Sequence, residues 1–425
     1  MIKKILLSIL LITFFFSAAT AAAEKEIEFW TINLSPKFDD YFVTKIKEFE
    51  TQNPGLKIKW EDVNFSTINQ KLRHQLAAGE VPDLVNLSPQ LMASLLEDNL
   101  LFPVSSLKQD YSQYYYPRLW ENGYYQGAYY AFPWYLSSKL MVFNQEIFKI
   151  AGLNPNQLIE DQNQLFQLAE TITKKTGVYG LMPQIKIEQE FIEAGIELFK
   201  EDNGQLKAAF NNQKAEKIIL KYQQLRKKGV IPADTLSSGF NIALERYKNN
   251  ELAILFTAPQ FLKEIANDSK YLNDVTKPAV IPPAGEGVIN AALMNLVIPK
   301  ASENKIEAAK FAQFITSLKS QLKFSTQASV LPSAVIPEED LELLQEKIRD
   351  KAGDISLENE AQIILRKQLF RNQDLTLMHP DAAELLKVMN EQFARAFAGK
   401  ISAREALNIM ETKWNQILTE ENLND

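Results

Sequence analysis

Between residues 27 and 87 the sequence alternates between two kinds of apolar pattern. Short runs rich in β-branched and aromatic residues are separated by longer runs with an apolar residue every three or four positions. Asn53-Pro54-Gly55 and Gly79 end the longer runs, as helix stops do. Strand, helix, strand, helix, strand at this spacing predicts a parallel, doubly wound sheet. The predicted strands are Ile27–Thr31, Leu56–Trp60 and Leu84–Leu87, and the helices carry Phe38, Phe42, Ile46 and Phe49, then Ile68, Leu72 and Leu76.

The loops that follow these three strands are the first candidates for a ligand site. In open α/β sheets, ligands gather where loops leave the carboxyl ends of the strands. The loops are Trp30–Asn33, Glu61–Phe65 and Ser88–Gln90. Glu61 and Asp62 are possible acceptors for ligand hydroxyls because they follow a strand.

A second informative stretch runs from Tyr125 to Gly152 and is dense in Tyr, Phe, Trp and Val, which is typical of a packed strand. Pro133 cannot donate to a strand ladder and predicts a strand edge, a start or a crossing between two bodies. A crossing here would put the rings of Trp134 and Tyr135 in an interdomain cleft, where small ligands usually bind. A short helix is expected from Glu146 to Ala151.

This stretch resembles a known family. Residues 127–133 (GAYYAFP), Phe143-Asn144 and Phe148 to Gly152 are similar to the G-K-x-Y-x-x-P, Y-N and F-x-x-x-G pattern of extracellular solute-binding proteins of carbohydrate importers, the relatives of maltose-binding protein. The run A-A-G-x-x-P-D-L-V within Leu72–Leu87 and the pair Leu331-Pro332 continue the resemblance. Two departures concern the ligand: Ala258-Pro259-Gln260 stands where the family usually has Gly-Pro-Trp, and Asn290-Ala291-Ala292 replaces a Gly-Gly pair.

The resemblance implies an α/β fold with two lobes, each a mostly parallel sheet flanked by helices, joined by hinge crossings. We expect the crossings near Phe132–Leu136, Pro283–Asn290 and Val330–Pro332. The first lobe is predicted to comprise residues 24–132 and about 290–330, and the second residues 133–289 and about 331–425. Residues 337–375 read as charged and helical and match no part of the family pattern.

Residues 1–23 read as a cleavable secretory signal. Lys3 and Lys4 precede an apolar run from Ile5 to Phe16, and Ala21-x-Ala23 is a cleavage pattern. The run is too short to span a membrane. The chain has no cysteine, so disulfides, thiolate chemistry and a lipidated N-terminal cysteine are excluded. A periplasmic location is expected.

Charge and motifs exclude several functions. With 46 basic and 53 acidic residues the net charge is −7, and no basic block is present, so nucleic acid is a poor partner. His74 and His379 make no metal-binding spacing. Nucleophile-elbow, P-loop and dinucleotide motifs are absent from the sequence. We therefore predict no enzymatic activity, no catalytic residue, no metal and no cofactor.

The candidate ligand-binding residues fall into two chemical groups. Aromatic rings at strand ends suit the CH face of a sugar, although such rings more often pack in a core. Neutral amides and hydroxyls both donate and accept, like a sugar hydroxyl, although in loops they commonly stabilise turns. The aromatic candidates are Trp30, Trp134 and Tyr135, and the polar candidates are Asn33, Asn64, Ser88, Gln90, Ser137, Gln260 and Asn290.

The resemblance implies a monomeric receptor that captures a sugar, oligosaccharide or related polyol between its lobes and delivers it to an ABC permease in the inner membrane. Two alternatives stay open. The same fold could bind a charged solute such as a glycerol phosphodiester or a polyamine; Arg or Lys among the cleft loops would favour an anion. A secreted carbohydrate-active enzyme would require two carboxylates facing the cleft.

Overall fold

The computed structural model describes residues 24–285, 287–342 and 356–421. The predicted signal at residues 1–23 lies outside the described residues. Within the described part, no helix combines the length and apolar character needed to cross a membrane.

The strands confirm the sequence pattern closely at the start of the chain. The predicted third strand, Leu84–Leu87, has the observed bounds, and the first two extend the predictions by one to three residues at an end. The strands are β1 (Lys25–Ile32), β2 (Leu56–Val63), β3 (Leu84–Leu87), β4 (Tyr124–Tyr125), β5 (Ala128–Tyr129), β6 (Ala131–Ser138), β7 (Leu140–Asn144), β8 (Tyr179–Leu181), β9 (Phe199–Asp202), β10 (Gln205–Ala208), β11 (Leu252–Thr257), β12 (Thr276–Ala279), β13 (Ile289–Val297), β14 (Leu331–Pro332) and β15 (Asn372–Gln373).

Helices surround these strands and end where local chemistry stops them. Gly79 ends the second helix with a left-handed φ of 76°, a conformation that glycine adopts without strain. The α-helices are α1 (Asp39–Gln52), α2 (Ile68–Ala78), α3 (Pro89–Glu97), α4 (Pro117–Trp120), α5 (Gln145–Ile150), α6 (Gln162–Thr176), α7 (Ile187–Glu193), α8 (Gln213–Lys227), α9 (Thr235–Lys248), α10 (Gln260–Asp268), α11 (Lys270–Val275), α12 (Lys305–Ile315), α13 (Leu318–Ala328), α14 (Leu357–Lys367), α15 (Ala382–Phe397) and α16 (Ala403–Glu421).

Two main sheets give the molecule its two lobes. The first has the strand order β14-β6-β13-β3-β1-β2, with β15 also paired to β13. Here β1 pairs in parallel with β2 and β3, as predicted, whereas β13 and β6 run antiparallel to their neighbours on this path. The second sheet has the order β12-β7-β11-β8, with β11 parallel to β8. The α/β fold class is confirmed, and both sheets are mixed.

The chain passes from one sheet to the other at two well-defined places. It leaves the first sheet after Ser138 and enters the second at Leu140, and it returns between Ala279 and Ile289. The outward passage therefore lies beyond the predicted crossing at Phe132–Leu136, whereas the return includes the predicted Pro283–Asn290 segment. Pro133 is not at a sheet edge, because β6 pairs on both sides; it lies where the register with β13 shifts, and such an irregularity tolerates a missing N–H.

Residues 337–375 match no family pattern. Where the structure describes this segment, it packs against the rest of the protein. Helix α14 packs on β12 and β7, and Leu357, Ala361 and Leu365 are buried in a cluster with side chains of both main sheets. The Asp374 carboxylate accepts a hydrogen bond from Leu293 N at 2.8 Å. Residues 343–355 of this segment lie outside the described residues.

Candidate functional site

Strands β6 and β13 are neighbours in the first sheet, and one face of this pair is partly open to solvent. We call the side chains on that face the floor. Along β6, Tyr135 and Ser137 are half-buried while their neighbours are buried. Along β13, Asn290 and Met294 are half-buried and Ala292 is exposed, again between buried neighbours. Because Met294 pairs with Tyr135 and Ala292 with Ser137, these side chains share one face of the sheet.

The loops that follow β1 and β2 border this floor. Asp62 ties them together by accepting hydrogen bonds from Thr31 Oγ1 at 2.6 Å, Leu34 N at 3.0 Å and Ser35 N at 3.1 Å. Burial raises the pKa of Tyr135, and the charge of Asp62 raises it further, so the loops and the floor are close. The loop that follows β2 carries Phe65, whose side chain is 53 % exposed and available to stack on a ligand.

A pocket of about 130 Å³ continues from the floor into the second lobe. It begins at Asn290, whose Nδ2 donates to Gln189 Oε1 at 3.0 Å. On the opposite side, Lys139 Nζ donates to Gln184 Oε1 at 2.9 Å. The polar lining is Lys139, Gln162, Gln184, Lys186, Gln189, Glu190, Glu193 and Asn290, and apolar walls come from Phe166, Phe256, Ile281 and Pro282. Apolar walls with a few polar groups are typical of a small-molecule site.

Two acids on α7, Glu190 and Glu193, line this pocket and have raised pKa values. Burial, followed by the charge of the neighbouring Glu190, raises the pKa of Glu193 from 4.5 to about 8. Burial also raises the pKa of Glu190, whose Oε2 accepts a hydrogen bond from Gln162 Nε2 at 3.4 Å. Glu193 therefore holds its proton at neutral pH and can donate a hydrogen bond.

Two predicted aromatic contacts require correction. Trp30 and Trp134 are both 0 % exposed and lie in the core of the first lobe. Trp134 stacks on Phe324 with ring centroids 5.7 Å apart, because side chains alternate along a strand and position 134 faces away from the floor. Tyr135, one residue later, faces the floor. A ligand on the floor can touch Tyr135 and has no access to either tryptophan.

The predicted polar residues divide into floor residues and loop residues. Ser137 and Asn290 lie on the floor, and Asn290 also lines the pocket. Asn33 is exposed in the bordering loops, where its Oδ1 accepts from Phe65 N at 2.9 Å. Asn64 and Ser88 make local turn and helix-cap hydrogen bonds, to Ser66 N and Leu91 N respectively. Gln90 and Gln260 are exposed in the first turns of α3 and α10.

Most residues that line the pocket in the second lobe are not among the candidates predicted from the sequence. Gln184 and Lys186 follow the carboxyl end of β8, so the preference of ligands for loops at the carboxyl ends of strands is a signal for this loop. Lys139 follows Ser137 by two positions at the passage between sheets. Glu190 and Glu193 carry no such signal, because a helix face reaches a pocket only through tertiary packing.

A larger surface depression of about 760 Å³ lies on the flank of the first lobe, lined by Lys108, Tyr111, Trp120 and Tyr129 among others. Its aromatic faces are already occupied, since Tyr115 stacks on Trp120 at 5.6 Å and Trp120 on Tyr129 at 5.1 Å. None of the floor residues, and none of the residues that line the 130 Å³ pocket, line this depression. The floor and its adjoining pocket are therefore the better candidate site.

Comparison with known proteins gives a consistent family. The model of the bacterial extracellular solute-binding protein family matches residues 35–322. A binding protein of Brucella abortus (strain 2308) is 21 % identical over 321 residues, covering 74 % of this chain and 77 % of that protein. The diacetylchitobiose binding protein DasA of Streptomyces coelicolor is 24 % identical over 160 residues, covering 38 % of this chain and 37 % of that protein.

A solved structure extends the likeness to nearly the whole chain. A protein of Synechococcus sp. MITs9220, described as an oligosaccharide periplasmic-binding protein, superposes with a TM-score of 0.79 at 27 % identity, covering 93 % of this chain and 99 % of that one. The family match and the two mixed sheets agree with the resemblance seen in the sequence. The chain belongs to the bacterial extracellular solute-binding protein family.

Proposed function

We propose that this protein is the receptor of an ABC importer and that it captures a sugar, oligosaccharide or related polyol on the floor formed by β6 and β13. The observation that carries the proposal is the shared open face of Tyr135, Ser137, Asn290 and Ala292, which joins the loops of the first lobe to the pocket of the second. A face that bridges two lobes lets one ligand contact both.

The chemistry of this surface suits a polyol. Ser137 and Asn290 offer hydroxyl and amide groups that donate and accept, Tyr135 and Phe65 offer rings, and Ala292 leaves space at the centre. The oligosaccharide and diacetylchitobiose binding proteins among its relatives support this ligand class. Asn33, Gln90 and Gln260 are proposed as contacts made when the lobes close.

Closure of the lobes around the ligand is the proposed mechanism. The backbone passages at residues 138–140 and 280–288 link the two sheets, and rotation there would bring the loops of the first lobe toward Gln184 and Gln189. A ligand favours closure only as far as it makes contacts in the closed state that the open state lacks. We propose a monomer in the periplasm, with lobes divided at the passages between the two sheets, whose closed form docks on a permease.

A receptor returns its ligand unchanged, and the geometry favours this over hydrolysis. The acids of the pocket, Glu190 and Glu193, both come from α7 and so lie on one wall. Glycosidases use two carboxyl groups that flank the scissile bond. We therefore propose binding without catalysis.

The test is isothermal titration of the purified protein with mono- and oligosaccharides, followed by chromatographic analysis of the recovered ligand. We expect saturable binding to at least one saccharide, recovered intact. Ala292→Trp should abolish binding because the indole would fill the floor. Val43→Trp is the matched control, since Val43 is 62 % exposed and lies on α1.

If Ala292→Trp bound the saccharide with wild-type affinity, the ligand site would not be on this floor. Recovery of cleaved saccharide would contradict the receptor function, and an absence of binding to every saccharide would contradict the ligand class.

A further inference from the structure

The pocket beside the floor carries two lysine side chains that have no salt-bridge partner among the described residues. Lys139 and Lys186 both line the pocket. Within the described residues neither lysine forms a salt bridge, and Lys139 Nζ donates to the neutral amide oxygen of Gln184. A neutral sugar has no need of two uncompensated ammonium groups.

The two lysines are close enough to influence each other. Burial lowers the pKa of Lys139 and the positive charge of Lys186 lowers it further, while the nearby Glu193 opposes both effects. Their repulsion is an energetic cost in the empty pocket, because no acid lies within salt-bridge distance of either among the described residues. An anion between them would replace that repulsion with two attractions.

Among the described residues, two more side chains at or behind this pocket have an N–H donor without an acceptor. Gln184 Nε2 is buried without a hydrogen-bond partner. Arg371 uses Nε and Nη1 on the carbonyl oxygens of Gly287 and Ile281, at 2.8 and 3.0 Å, and its buried Nη2 is unpaired. Ile281 is a lining residue, so Arg371 adds positive charge behind the same wall. Buried unpaired donors are costly unless a ligand accepts from them.

The acids of the pocket do not cancel this charge. Glu193 is protonated at neutral pH, since burial and then Glu190 raise its pKa. Glu190 accepts hydrogen bonds from Gln162 and from the Tyr222 hydroxyl. Lys139, Lys186 and Gln184 therefore present hydrogen-bond donors to whatever enters the pocket.

We propose that the ligand is a sugar that bears an anionic substituent, a carboxylate or a phosphate, and that this group binds between Lys139, Lys186 and Gln184. The inference rests on the proposed receptor function and narrows its ligand class. The floor would hold the sugar ring, and the pocket of the second lobe would hold the negative group.

Titration calorimetry of the purified protein with matched pairs of compounds tests the inference. The pairs are glucose and glucuronate, galactose and galacturonate, glucose and glucose 6-phosphate, and glycerol and glycerol 3-phosphate. We expect at least one acidic compound to bind about tenfold or more tightly than its neutral partner, the effect of one charged hydrogen bond. Added salt should weaken that binding.

Substitutions identify the residues involved. Lys139→Met and Lys186→Met should each weaken binding of the acidic compound about tenfold and leave binding of its neutral partner unchanged. Lys149→Met is the matched control, because Lys149 is an exposed lysine on α5 that does not line the pocket. Circular dichroism and thermal unfolding verify that each variant folds.

The inference is overturned if no acidic compound binds more tightly than its neutral partner, or if both lysine variants bind the acidic compound like the wild type. Tight binding of neutral sugars alone would overturn it while supporting the receptor function. Failure of every sugar and acid to bind would overturn both.

Discussion

The protonated state of Glu193 predicts a specific pH dependence of stability. Burial, followed by the proximity of Glu190, raises the Glu193 pKa from 4.5 to about 8. Between those pH values the folded protein holds a proton that the unfolded chain has released. The stabilising effect of that proton is complete below pH 4.5 and is lost as the pH rises through the folded pKa.

The magnitude follows from linkage. Stability changes by about 1.4 kcal/mol per pH unit while one proton differs between the states. Across the window from 4.5 to about 8, the loss approaches ~5 kcal/mol as an upper value, because water entering the pocket would reduce it. In Glu193→Gln an amide replaces the protonated carboxyl and does not titrate, so this variant should lack that part of the slope.

Urea unfolding at a series of pH values, followed by circular dichroism, measures the effect. The wild type should lose stability relative to Glu193→Gln as the pH rises from about 5 to about 8. Glu197→Gln is the matched control, because Glu197 is exposed a few residues away and should retain the wild-type profile. Parallel profiles for the wild type and Glu193→Gln, within about 1 kcal/mol over this range, would refute the burial argument.

Three further predictions concern packing and ligand access. Gly180→Ala should destabilise the protein by about 1–3 kcal/mol in urea unfolding, because a Cβ there would lie 2.5 Å from Ala169 O; an unchanged midpoint would contradict the overlap. Asp374→Ala should cost about 1–3 kcal/mol in the same assay, because the buried Leu293 N–H would lose its acceptor, and a change near zero would show that the bond is dispensable. Trp134→Phe should lower the unfolding temperature through the cavity it leaves, yet change the dissociation constant of a bound saccharide by less than about twofold. A large loss of affinity in that variant would place Trp134 at the ligand after all.

The local patterns predicted most of the early elements. Gly55 and Gly79, which the sequence identifies as helix stops, adopt left-handed φ values of 94° and 76°. These features succeed because a turn or a cap depends on residues within a few positions of one another.

The candidate site was only partly predictable. Ser137 and Asn290 are candidates because their hydroxyl and amide groups suit a sugar, and both lie on the floor. Trp134 is a candidate because it lies at a predicted crossing, but it is buried. The choice between neighbouring residues of a strand depends on which face the rest of the protein covers. Periodicity fixes the alternation and leaves that choice open.

The order of residues along the chain is enough to predict the period of each strand and helix, the points where helices stop, and the family. Tertiary structure alone decided that Lys139, Lys186, Glu193 and Asn290 line one pocket, and that the acid among them keeps its proton. The reason is physical: periodicity, turns and caps arise from neighbours along the chain. Burial, pKa and uncompensated charge arise from residues that are distant in sequence and adjacent only after folding.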